Sequence, residues 1–113
     1  MRAGQITVST RAFAIVDVPT PVAGAGQVRI KVEAAGVCLS DVHLLEGILS
    51  PGYLDGDQVT LGHEVAGVID QVGAGVTTSA VGDRVVVIAG QRNAASQITT
   101  MGFDTTAVGP NTL

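Results

Sequence analysis

The segment from Val28 to Ala34 narrows the fold more than any other. Val28, Ile30, Val32 and Ala34 alternate with Arg29, Lys31 and Glu33. Successive side chains of a strand point to opposite faces, so this period of two predicts a strand with one buried and one wet face. The strand runs into Gly36-Val37-Cys38, and so delivers the only cysteine of the chain to its end.

The flanking segments read in the same way. Ala3 to Val8 and Ala12 to Val18 suit two strands, with a turn at Ser9-Thr10-Arg11. Pro19-Thr20-Pro21 ends the second, because proline has no N–H for a ladder. From Ser40 to about Glu46 the residues suit a short helix, with Ser40 or Asp41 as its cap and Gly47 as its stop. Ser50-Pro51-Gly52 and Asp55-Gly56-Asp57 mark a polar loop. Val65 to Val72 and Arg84 to Ile88 are rich in β-formers, and Gly73-Ala74-Gly75 and Val81-Gly82-Asp83 read as turns. Beyond Ala89 the residues are small and polar; Gly102-Phe103-Asp104 is expected to close a last strand, and Thr105 to Leu113 to form a disordered tail. Recurrent strands and one or two short helices imply a mainly β fold, a small barrel or sandwich.

A core is available to hold such a fold. Hydrophobic residues make up 46% of the 113 residues and charged residues 14%, which fits one globular domain, not a disordered chain. Aromatics are 3% with no Trp, so Val, Ile, Leu and Ala must fill the core. A net charge of -4 without a Lys/Arg cluster argues against a nucleic-acid partner. No apolar run reaches the roughly 18–20 residues of a membrane helix, and no signal peptide opens the chain. A single cysteine allows no internal disulfide and fits a reducing compartment, so a cytoplasmic location is expected.

The residues with chemistry fall in two short stretches, Gly36-Val37-Cys38-Leu39-Ser40-Asp41-Val42-His43 and Leu61-Gly62-His63-Glu64-Val65-Ala66-Gly67. A thiolate, an imidazole and a carboxylate are ligand types of zinc, and catalytic zinc keeps about three protein ligands and one open position. Cys38 and His63 both lie near ends of expected strands, where side chains distant in sequence meet at one rim. Asp41 is placed to orient His63 through its second ring nitrogen. Ser40 and His43 share a helix face at i, i+3 and are able to pass a proton. Ordinary readings stand beside these. A lone Cys is commonly a small buried hydrophobe. His63 and Glu64 would serve as a strand-edge pair, His43 as a helix-surface residue, Gly62 and Gly67 as relief at a bulge, and Asp83 as turn chemistry.

Taken jointly, the two stretches resemble the zinc motifs of medium-chain, zinc-dependent alcohol dehydrogenases. Asp17-Val18-Pro19-Thr20-Pro21 and Val81-Gly82-Asp83-Arg84-Val85 are similar to further family positions, and the resemblance runs from about Met1 to Ile88. It implies a GroES-like, partly open β-barrel over residues 1–104, the catalytic domain of that family. It implies Cys38 and His63 as zinc ligands, Glu64 beside the metal, Ser40 and His43 as proton relay, and Asp41 as the partner of the zinc-bound histidine. The family interconverts small alcohols and carbonyl compounds by hydride transfer with NAD(P). No Gly-x-Gly-x-x-Gly turn occurs here, so the dinucleotide-binding domain is expected to be absent, and with it activity of the chain alone. The family's third protein ligand has no counterpart, and Ala89 to Ser96 stands where many members carry a four-cysteine lobe. The alternatives are a non-catalytic GroES-like binding or assembly module, such as a homo-oligomer, and a subunit completed by a separate nucleotide-binding chain.

Overall fold

The computed structural model describes residues 1–54, 56–92 and 96–100. Among these are eight strands and one helix, so the mainly β expectation holds. The element order is β1 (Arg2–Thr7), β2 (Ala12–Asp17), β3 (Val28–Ala35), α1 (Leu39–Glu46), β4 (Gln58–Thr60), β5 (Val65–Val72), β6 (Arg84–Val86), β7 (Gly90–Arg92) and β8 (Ile98–Thr100). They form two three-stranded sheets, ordered β2-β1-β4 and β3-β5-β6, and a β7-β8 ribbon, all antiparallel. The sheets do not close on one another, which leaves a partly open barrel. No helix among the described residues is long and apolar enough to cross a membrane.

The hairpin β1–β2 pairs in unbroken register from Arg2↔Asp17 to Thr7↔Ala12. The strands expected over Ala3–Val8, Ala12–Val18 and Val28–Ala34 differ from β1, β2 and β3 by one residue at one or both ends, within ordinary boundary variation, and Val65–Val72 is β5 as expected. β4 was not expected; it is three residues long, and Val59 and Thr60 become a strand by pairing with Ile6 and Gln5 of β1. Gln5 Nε2 also donates to Thr60 Oγ1 at 2.9 Å. Burial centres here and on β5 and α1, where Ile6, Val59, Ile69 and Leu44 are almost fully enclosed.

The expected buried face of β3 is realised only in part. Val28 and Ile30 are half-buried, whereas Val32 is 54% exposed and Ala34 is exposed. Two irregularities interrupt the β3–β5 register, between Arg29 and Ile30 and between Val32 and Ala34. Each leaves one residue without a ladder partner: Asp70 on β5 in the first, Glu33 on β3 in the second. Such bulges bend a strand and increase its twist. Both extra residues are carboxylates that meet arginines, Asp70 with Arg29 at 2.7 Å and Glu33 with Arg84 at 3.5 Å. Strand β3 borders an open groove of about 920 Å³, lined by both its apolar and its charged residues from Val28 to Val32 and also by Ala3, Val65, Val87 and Ile88. Nothing among the described residues fills it, and Ile88 and Val86 stand 79% and 76% exposed.

The strand expected over Arg84 to Ile88 stops at Val86, although Val87 N–H still donates to Val65 O at 2.8 Å. The turns at Ala74–Gly75 and Val81–Gly82 form as expected. Asp83 is turn chemistry, its Oδ2 accepting from Ala80 N–H at 2.8 Å. The short β7 strand, in the polar segment, was not anticipated. The readings of Asp55, of Gly102-Phe103-Asp104 and of the Thr105 to Leu113 tail lie outside the described residues.

Candidate metal centre

Two loops are brought together where the β3–β5 ladder ends. Past the last strand pair, Ala35↔Val65, the N–H of Gly36 donates to Glu64 O at 2.7 Å. The segment entering α1 therefore lies against the segment entering β5. Gly62, with φ of 126°, turns the chain out of β4 in a conformation that L side chains rarely adopt, and His63 and Glu64 follow.

Helix α1 starts one residue earlier than expected, and its N-cap is Cys38, not Ser40 or Asp41. Asp41 is the third helical residue, and its Oδ2 accepts from Cys38 N–H at 3.0 Å. That satisfies a donor at the helix start, and a carboxylate there is favoured by the helix dipole. The Cys38-x-x-Asp41 spacing, read as a capping box with cysteine in the place of serine, would have revealed it. Gly47, at φ 72° and ψ 18°, ends the helix as expected, its N–H donating to Leu44 O at 3.2 Å.

The cap fixes Cys38 beside His63. One ligand atom each from Cys38, His63 and Glu64 lie within 4.8 Å of one another. Cys38 and His63 are half-buried and Glu64 is exposed. Ser40 Oγ is 3.3 Å from His63 Nε2. On the other side of the ring, Nδ1 of His63 lies 3.6 Å from Oδ1 of Asp41. Both atoms are buried and lack a hydrogen-bond partner among the described residues. His43 sits half-buried in the last turn of α1, three residues after Ser40, and is not one of the three converging groups. The structure thus gathers Cys38, Ser40, Asp41, His63 and Glu64 at one rim, with His43 further along the same helix. The groove between the sheets is lined by Leu61, Gly62 and Val65 but not by these ligand types, so the rim and the barrel interior are adjacent, separate features.

The donor set fits a zinc ion. Sulfur, imidazole nitrogen and carboxylate oxygen are its usual ligands, and three with an open fourth position is the pattern of a catalytic site. The unpartnered pair adds to the fit. With the His63 proton on Nδ1 and directed at Asp41, Nε2 keeps its lone pair for a metal, and a small approach satisfies both orphaned atoms.

Comparison with known proteins identifies the family of the chain. Residues 24–109 match the family described as Alcohol dehydrogenase GroES-like domain. A sorbitol dehydrogenase of Halalkalibacterium halodurans is 49% identical over 73 residues, which are 65% of this chain and 20% of that protein. An NAD-dependent alcohol dehydrogenase of Sulfurisphaera tokodaii is 41% identical over 92 residues, 77% of this chain and 26% of that protein. The chain thus spans about a fifth to a quarter of the length of these curated relatives. Among solved structures, a cobalt- and zinc-bound thermostable alcohol dehydrogenase from Pyrobaculum aerophilum superposes with a TM-score of 0.76 at 27% identity. That match covers 94% of this chain and 36% of the other.

Proposed function

The chain belongs to the alcohol dehydrogenase GroES-like domain family, and from that premise we propose that it is the metal-binding catalytic portion of an NAD(P)-dependent alcohol dehydrogenase. The observation that carries the reading is the convergence of Cys38, His63 and Glu64 at the end of the β3–β5 ladder. Its substrates are small alcohols and the corresponding aldehydes or ketones. Its free thiol suits the reducing cytoplasm.

Cys38, His63 and Glu64 would hold zinc, which when bound supplies the Lewis acidity that polarises an alcohol or carbonyl oxygen. The residues of the chain do the rest. Asp41 holds the His63 ring in the tautomer that frees Nε2. Ser40 Oγ, 3.3 Å from that nitrogen, is placed to take a proton from a substrate hydroxyl. His43 follows on the same face of α1 and carries the proton onward. A nicotinamide that accepts the hydride would be held outside these 113 residues, which contain no Gly-x-Gly-x-x-Gly turn. The chain alone therefore binds metal and does not turn over alcohol. Val86 and Ile88, bare on β6 and just after it, offer an apolar surface to whatever protein mass supplies the nucleotide site, in the same polypeptide or in a separate chain.

Metal content of the purified chain, together with NAD(P)-dependent oxidation of simple alcohols, tests the proposal. Close to one zinc per chain without turnover is expected. A chain that takes up no zinc overturns the metal reading, and clear turnover overturns the claim that the chain is inactive alone.

A further inference from the structure

We infer that Gly36 is a positioning residue for Glu64: the lack of a side chain at position 36 is what admits the Glu64 carboxylate to the space beside Cys38 and His63. The inference rests on the metal-binding reading above. Gly36 does not have the positive φ of Gly62 or Gly47, so its backbone conformation is open to other residues. Its constraint is steric. A Cβ placed on Gly36 would overlap Oε2 of Glu64, and would lie 3.0 Å from Glu64 Cβ and 3.3 Å from Cδ.

What gives way on substitution decides the consequence. The two backbones are tied by the Gly36 N–H to Glu64 O bond at 2.7 Å and by the Ala35↔Val65 pair beside it. Glu64 is exposed, so its carboxylate, at the free end of a flexible side chain, swings away at little expense. An alanine at 36 therefore displaces the carboxylate from the group, while the 3.0 Å approach to Glu64 Cβ, which no side-chain rotation relieves, is met by a shift of a few tenths of an ångström between the two segments. Gly67 provides the contrast. A Cβ there would run into the Lys31 carbonyl oxygen and lie 2.8 Å from Ile30 Cγ2. Backbone blocks that position, so substitution at Gly67 strikes the fold.

The test measures zinc(II) affinity by competition with a chromophoric chelator for the wild-type chain, Gly36→Ala, Glu64→Gln and the double variant. The visible spectrum of the cobalt(II)-loaded chains and the melting temperatures of the metal-free chains are recorded in parallel, with Gly67→Ala as a fold control. Gly36→Ala is expected to bind zinc at least about tenfold more weakly, since loss of even an outer-shell partner costs about ten- to a hundredfold. It should match Glu64→Gln, the double variant should be no weaker than Glu64→Gln alone, and the cobalt spectra of the three should coincide. The metal-free melting temperature should fall clearly further for Gly67→Ala than for Gly36→Ala. Wild-type affinity in Gly36→Ala, or losses that multiply in the double variant, would overturn the inference. So would a Gly36→Ala melting temperature as low as that of Gly67→Ala. Wild-type affinity in Glu64→Gln would remove Glu64 from the site and the inference with it. Failure of the wild-type chain to bind zinc would overturn the metal reading itself.

Discussion

Oδ1 of Asp41 lies 3.6 Å from Nδ1 of His63, and neither buried atom has a hydrogen-bond partner among the described residues. The other oxygen of the same carboxylate accepts from Cys38 N–H at 3.0 Å. One side chain therefore addresses both half-buried ligand types, Cys38 through its backbone and His63 through its ring. Asp41→Asn keeps the shape but offers an amide that can donate to Nδ1, which favours the tautomer with the proton on Nε2. Zinc affinity is expected to fall about ten- to a hundredfold. Chelator competition checks it, and an affinity equal to wild type would show that Asp41 does not set the ring.

Removing the metal should lower stability, because a ligand that binds only the folded chain stabilises it by mass action. With zinc at a hundred times Kd the gain is about 2.7 kcal/mol. Chelator should therefore lower the melting temperature of the wild-type chain. Cys38→Ala should contain no zinc and melt at one temperature with or without chelator. Undiminished zinc in Cys38→Ala would place the site elsewhere.

These two predictions rest on residues whose importance is legible in the sequence itself. Period-two alternation located β3 to within a residue, and Cys38, His63 and Glu64 were recognisable as ligand types. What stayed hidden depends on pairing between distant segments. The bulges at Asp70 and Glu33 arise only when β3 and β5 are laid together, and they spoil a wet-and-dry alternation that is regular in sequence. Val32 is apolar and in register for a core, yet no described element covers it. The three residues of β4 are a strand because β1 is beside them. Gly36 and Glu64 carry no spacing signal at all; their contact follows from the ladder that precedes it.

Acid should weaken the chain partly through Asp70. Its carboxyl is held below the usual value of 3.8, chiefly by the hydrogen bond from Arg29, which outweighs the opposing effect of burial, with a lesser lowering from that residue's charge. A carboxyl whose folded pKa is depressed binds its proton more readily in the unfolded chain. Its contribution is therefore full above the ordinary carboxylate value and is lost as pH falls through the lower folded value. Asp70→Asn should be less stable than wild type near neutrality, and the difference should shrink as pH drops below about 3.8. Urea melts across that range measure it. A difference independent of pH would mean that the Arg29 contact adds nothing through charge.

Gly47→Ala should cost stability twice over. The position has φ of 72°, a left-handed conformation that costs a residue with a Cβ roughly 1–2 kcal/mol. In addition, a Cβ there would collide with the guanidinium of Arg11, whose Nη1 donates to Glu46 O at 2.9 Å and so ties the β1–β2 turn to the end of α1. Arg11→Ala removes the obstacle and the tie together. Denaturant melts of the two single variants and the double should therefore show a double loss smaller than the sum of the single losses. Strict additivity would mean that Arg11 moves aside freely and that only the backbone conformation at Gly47 matters. The same helix carries Ser40, Asp41 and His43, so a loosened C-terminus tests whether the metal group depends on this anchor. Because Asp41 is bonded to Cys38 at the opposite end, zinc affinity in Gly47→Ala is expected to change less than in Asp41→Asn.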